Sequence, residues 1–203
     1  MLKKSLFLFC LLFLMLFSTC FAQTQQSQPL KVAIMPIVTN VSGQKDVKAQ
    51  LYSALKQQMY IPLNGTLQAV EYIDAETVYI AMQKSNFTNE QNLDTLKRTA
   101  DLLNADIIVG YSVPNMFQRY FHMASHLEGS PVINSYISLK LWAYYRPLDK
   151  TVEMSTTRSY LDTLSTFGTL PALADDASYY LNKKADLKSL LKQSIQIQKG
   201  DVQ

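Results

Sequence analysis

The stretch Lys31–Val38 reads KVAIMPIV. Both of its alternating faces are apolar, as expected of a strand covered by helices on each side rather than one wet on one face. Pro36 limits ladder pairing near its end. A second stretch of the same kind, ADIIVGYSV, runs from Ala105 to Val113. Between them lie helical patterns. A turn at Thr39–Gly43 leads into a helix of about 15 residues with Val47, Leu51, Ala54, Leu55 and Met59 on one stripe. Pro62 and Asn64-Gly65 break the chain, a strand follows near Leu67–Tyr72, and Asp74 is placed to cap a helix carrying Val78, Ala81 and Met82 inward. After a polar loop, Ser85–Asn92, a third helix holds Leu93, Leu96, Ala100 and Leu103, and Asn104 suits a left-handed cap. Strand, helix, strand, two helices, strand predicts a parallel sheet with right-handed crossovers.

The second half changes character. Asn115–Pro131 shows no clear period. Tyr136–Tyr145 alternates cleanly, with Ile137, Leu139, Leu141, Ala143 and Tyr145 on one face and Tyr136, Ser138, Lys140, Trp142 and Tyr144 on the other. PLDK at Pro147–Lys150 is a turn, and Thr151–Leu161 returns, so an antiparallel hairpin is appended to the parallel part. From Leu170 the chain is helical again, through Leu173, Ala177, Leu181, Leu187, Leu190, Leu191 and Ile195. The expected fold class is therefore α/β, a mixed sheet of parallel strand-helix-strand units followed by an antiparallel hairpin and C-terminal helices.

Upstream of this domain the first 22 residues divide as an export signal does. Lys3 and Lys4 give a positive start, Leu6–Phe17 is an unbroken apolar run, and Ser18–Ala22 is a small-residue tail. The run would reach only about 18 Å as a helix, short of the roughly 30 Å hydrocarbon core. Two processing routes are open. Cys20 and Ala22 match the −3 and −1 positions of a cleavage site releasing a chain that starts at Gln23. Alternatively, Cys20 is lipid-modified, although Phe17-Ser18-Thr19 is a poor lipobox. The chain thus divides into a signal peptide (1–22), a polar flexible tether (23–30), a single domain (31–198) and a frayed end (199–203). The expected location is the periplasm or the outer-membrane-associated envelope of a bacterium.

Composition narrows the function classes. The chain has 203 residues, with 19 Lys and Arg against 16 Asp and Glu. Removing Lys3 and Lys4 with the signal leaves near-neutrality, so nothing electrostatic points to nucleic acid or an anionic lipid surface. Cys10 and Cys20 are the only two cysteines, and cleavage after Ala22 removes both, leaving no disulfide, thiol nucleophile or thiolate ligand. No two of the six glycines lie close together, which excludes the common phosphate-cradling loops. His122 and His126, with Glu128, could in principle hold a metal. Their segment is short, weakly helical and not HExxH, and the reading taken is two solvent-facing histidines. Ser189-Leu-Leu-Lys192 matches a serine-lysine pattern by coincidence, having no companion motif. No catalytic, cofactor or metal residue is assigned, and an enzyme is not expected.

Aromatic residues offer more. Trp142, Tyr144 and Tyr136 share a hairpin face, and Phe117 and Tyr120 sit around Arg119 in MFQRYFHM, Met116–Met123. Either the C-terminal helices cover this face, or it is an exposed surface for a partner.

The order of these features, VAIMPIV, an amphipathic helix, a strand ending at an Asp-capped helix, LLNADIIVGYSV and YISLKLWAYYRPLDKTV, resembles the CsgG-like and TolB amino-terminal envelope domains. Ile37 stands where such domains often have Phe, Asn104 where they often have Gly, and Leu148-Asp149-Lys150 where they often have a Thr-Gly turn. The resemblance implies a divergent α/β module that binds other envelope proteins or itself, with no cofactor. In the CsgG pore long hairpins build a membrane barrel. Here Lys140, Glu153 and Arg158 on a hairpin read as short argue against that use. The alternative function is a periplasmic solute-binding or transport-accessory protein, with its pocket at the carboxyl ends of the parallel strands near Thr39, Asn40 and Ser112.

Overall fold

The two-sided apolar stretches form the middle of the sheet. The computed structural model describes residues 28–39, 41, 44–61, 69–87, 93–122, 131–198 and 200. The signal segment and its cleavage region, most of the tether, Asn40 and His126 fall outside them. Strands β1 (Leu30–Ile34), β2 (Val38–Thr39), β3 (Val70–Tyr72), β4 (Ile107–His122), β5 (Pro131–Tyr145) and β6 (Lys150–Thr163) form one sheet in the order β3-β1-β4-β5-β6, with β2 also on β4. The pairs β1–β3, β1–β4 and β2–β4 are parallel, whereas β4–β5 and β5–β6 are antiparallel. This is the expected mixed sheet. β1 begins at Leu30, one residue before the expected start, and Leu30 is already buried.

Alternation along β1 and β4 sends side chains into two separate cores. Val32, Ile34, Ile107, Val109, Tyr111 and Val113 face helices α1 (Lys45–Met59), α4 (Leu170–Ala185) and α5 (Leu187–Gln198). Ala33, Met35 and Ile108 face α2 (Ala75–Lys84) and α3 (Leu93–Leu102), meeting Val78, Met82, Leu96 and Ala100. Helix α1 buries Val47, Leu51, Leu55 and Met59, four of the five residues of the expected stripe. Asp74 caps α2, accepting from the backbone N–H of Glu76 at 2.9 Å and of Thr77 at 3.0 Å. Asn104 takes φ 47°, the left-handed conformation anticipated for it. In the β5–β6 turn Asp149 has φ 42°, filling the place a glycine commonly takes.

Two expectations need correction. Asn115–Pro131 is not without structure: β4 continues through His122, and only 123–130 lie outside the described residues. The alternation was hidden by a β-bulge between Ser112 and Asn115, where the register to β5 shifts. Pro114 sits in it, and proline is tolerated there because no ladder donor is needed. The extra residue puts Val113 and Met116 on the same face, which breaks a period-2 reading. Consequently the hairpin is not short. β5 has 15 residues and β6 has 14, paired in continuous register from Val132↔Thr163 to Tyr145↔Lys150.

Candidate interaction surface

After the bulge, β4 turns Phe117, Arg119 and Phe121 to the face of the sheet opposite α1, α4 and α5. The register aligns Phe117 with Tyr136 and Ser159, Arg119 with Asn134 and Leu161, and Asn115 with Ser138 and Thr157. Helices α2 and α3 cover only the base of this face. The core beneath them includes Ile108, Trp142 and the edge of Tyr144, and no residue of β4, β5 or β6 beyond Trp142 belongs to it. Beyond that line Asn115, Arg119, Ser155, Thr157, Ser159 and Leu161 are exposed, and Phe117, Tyr136, Ser138 and Lys140 are half-buried.

The hairpin aromatics therefore divide into two groups. Trp142 is 1 % exposed and donates its indole N–H to Ser112 Oγ at 3.0 Å, so it is a core residue. Tyr144 is half-buried beside it, with Lys97 Nζ 5.2 Å from its ring centre. What covers this pair is α2 and α3. The C-terminal helices, expected above to cover this face, lie on the opposite one against Ile137, Leu139, Leu141, Ala143 and Tyr145. Tyr136 stays on the open part and stacks on Phe117, ring centres 5.6 Å apart and planes 15° from parallel. The Arg119 guanidinium lies 5.4 Å from the Phe117 ring centre, and Lys140 Nζ 5.7 Å from that of Trp142. Such contacts hold cationic side chains against ring faces. Tyr120 points to the other side of the sheet, 59 % exposed, hydrogen-bonded to Gln118. The five residues singled out from the sequence thus contribute two, Phe117 and Tyr136, to a common half-buried patch.

This open part carries Arg119 and Lys140 among Ser and Thr hydroxyls and the aromatic pair, with the exposed Glu153, aligned with Trp142, at its base on the same face and Asp162 of β6 on the other face. Sequence reasoning placed Arg119 among the aromatics of Met116–Met123 but missed Asn134 as its cross-strand neighbour, because that alignment depends on the bulge.

The other candidates are not drawn together. Ser112 is buried and accepts from the Trp142 indole, and Thr39 Oγ1, half-buried, accepts from the N–H of Val41 at 3.0 Å. His122 is exposed at the end of β4. Ser189 and Lys192 lie on α5, with Lys192 exposed and Ser189 Oγ accepting from Gln193 at 3.4 Å. Among the described residues a groove of about 150 Å³ lies between α2 and α3, lined by Thr77, Ile80, Ala81, Lys84, Leu102 and Leu103. Of the hairpin charges, Arg158 pairs with Asp176, Glu153 is exposed and Lys140 is half-buried. Among the described residues no helix is long and apolar enough to cross a membrane.

No protein-family model matches this sequence, and no curated protein does. Among solved structures the chain is similar to the PelC dodecamer from Paraburkholderia phytofirmans, at 14 % identity over 80 % of this chain and 88 % of that one, TM-score 0.38. It is similar to lipoprotein GNA1162 from Neisseria meningitidis, at 11 % identity over 78 % and 99 %, TM-score 0.43. It is also similar to the C-terminal domain of LpoB from Escherichia coli, at 9 % identity over 66 % and 84 %, TM-score 0.31. Values of this size leave function to the chain's own residues.

Proposed function

We propose that this chain is an exported, non-enzymatic module of the bacterial envelope that works by binding other proteins, a divergent relative of the CsgG-like and TolB amino-terminal domains. The observation that carries the reading is the open half of the β4–β5–β6 face, where a Phe117–Tyr136 stack, Arg119 and Lys140 stand among hydroxyls, with Glu153 only at its base. A sheet covered at its base by two helices and left open beyond them offers ordered side chains on a rigid support, which lowers the ordering cost of binding. Aromatic and arginine side chains are the types that dominate contact energies. The complementary partner surface is apolar at its centre and acidic at its rim. The export signal supports the envelope location, and the absence from the sequence of a nucleophile–base set supports the non-enzymatic reading.

The test is in-cell crosslinking, comparing the wild-type chain with one carrying Phe117→Ala, Tyr136→Ala and Arg119→Glu. A discrete adduct formed by the wild type and lost in the variant, with the melting temperature little changed, is the expected result. An adduct of equal yield in both, or none in either, is evidence against this surface. Mass spectrometry of the mature amino terminus distinguishes release at Gln23 from lipidation at Cys20.

A further inference from the structure

The free edge of the sheet has properties of its own. β6 ends the strand order, so among the described residues one side of its backbone has no partner strand. Natural sheets guard such an edge with proline, a bulge, charged side chains (lysine above all), a covering helix, or brevity. β6 has no proline, bulge, mid-strand lysine or brevity, and of its charges Glu153, Arg158 and Asp162, Arg158 is drawn onto Asp176 of the neighbouring helix. The strand runs for 14 residues without proline, its pairing to β5 shows no register shift, and its one lysine is the first residue, Lys150. The opposite edge, β3, has three residues.

The flanking helix matches that edge. Arg158, near the middle of β6, pairs with Asp176 and lies 4.9 Å from the Tyr180 ring centre, which places α4 alongside β6 on the core side. There α4 exposes Tyr179 (64 %) and Tyr180 (40 %), with Asp175 and Asp176 one turn before them and Lys183 and Lys184 one turn after.

Resting on the assembly reading above, we propose that β6 pairs antiparallel with β6 of a second copy of this chain, making one continuous sheet across a two-fold axis. A two-fold perpendicular to the sheet keeps each face on its own side, so opposed residues must have the same parity. Centring the axis on Thr156 satisfies this and uses nearly the whole strand. It sets Lys150 against Asp162, Thr151 against Leu161, Val152 against Tyr160, and Ser155 against Thr157. Leu161, 57 % exposed in the single chain, then gains a neighbour. The same axis runs the two α4 helices antiparallel, bringing the acidic turn of one to the basic turn of the other with tyrosines between. Such a ladder supplies on the order of a dozen backbone hydrogen bonds, the number found in stable protein interfaces.

The experiment is sedimentation velocity over a range of concentrations, using the chain as exported and purified. Wild type is expected to sediment as two chains. Ser155→Lys with Thr157→Lys places lysines directly opposite each other twice and raises the dissociation constant by roughly tenfold or more. Both positions are exposed, so melting should be unchanged. Ser155→Glu with Thr157→Glu should fail alone in the same way, and mixing the Lys and Glu variants should restore the dimer. A monomeric wild type, or a Lys variant that dimerises as tightly as wild type, overturns the inference. Loss of the dimer without rescue on mixing also overturns it, because register-specific pairing demands that rescue. A monomeric wild type that still gives the Phe117-dependent crosslink leaves the assembly reading standing without this interface. A dimer rescued by mixing in a chain that forms no such crosslink does the reverse.

Discussion

Gly110 shows how little room a single position has. A Cβ built there would lie 2.7 Å from Met35 Cβ and 3.2 Å from its Cγ, between β1 and β4 at the α2–α3 core. Gly110→Ala is expected to destabilise the fold by about 1–3 kcal/mol through overpacking, read as a lower urea midpoint at unchanged slope. Two tyrosines behave differently. Tyr111 donates to Asn182 Oδ1 and Tyr145 to the Leu187 carbonyl, and both are fully buried. Burial raises the pKa of each above its ordinary 10.0. The folded state therefore resists losing these protons more than the unfolded chain does. Their contribution is complete below about pH 10 and falls as pH rises further. The slope is about 1.4 kcal/mol per pH unit for each tyrosine. Denaturation series on either side of pH 10 should show this alkaline loss, and Tyr145→Phe should make it shallower.

At the scale of elements, helix ends and turns were the most legible features, because their chemistry is local. Asp74 and Asn104 could be placed from residue type and spacing alone. More than one C-terminal helix was expected, but the position of the break between α4 and α5 was not assigned, since no glycine or proline separates Leu181 from Leu187. Asp186 makes the break with φ 49°. Asp186 is exposed, so Asp186→Gly should relieve the left-handed strain and stabilise the protein by up to about 1 kcal/mol in thermal denaturation. The far half of β4 was illegible for the opposite reason. Its side-chain alternation is regular on both sides of Pro114, but the bulge moves every later residue to the other face. Only the pairing to β5, a contact between distant parts of the chain, reveals the shift.

For the whole molecule, the mixed sheet could be read because strands buried on both faces advertise themselves, and KVAIMPIV and ADIIVGYSV do so. The candidate surface was only half legible. Trp142 and Tyr136 alternate identically on β5, yet one lies beneath α2 and α3 and the other beyond their reach. Periodicity assigns a face but cannot tell how far along it a neighbouring layer extends. That distinction has a practical use. The chain contains one tryptophan, and its indole is sealed between the sheet and the α2–α3 layer, touched from the open face only at its edge, where Lys140 Nζ lies 5.7 Å from the ring centre. Its emission in the folded protein should be blue-shifted, move to longer wavelength only on unfolding, and stay unchanged when a partner docks on Phe117 and Tyr136. Fluorescence of this one residue is thus an internal optical gauge of integrity, able to separate variants that lose binding from variants that lose the fold.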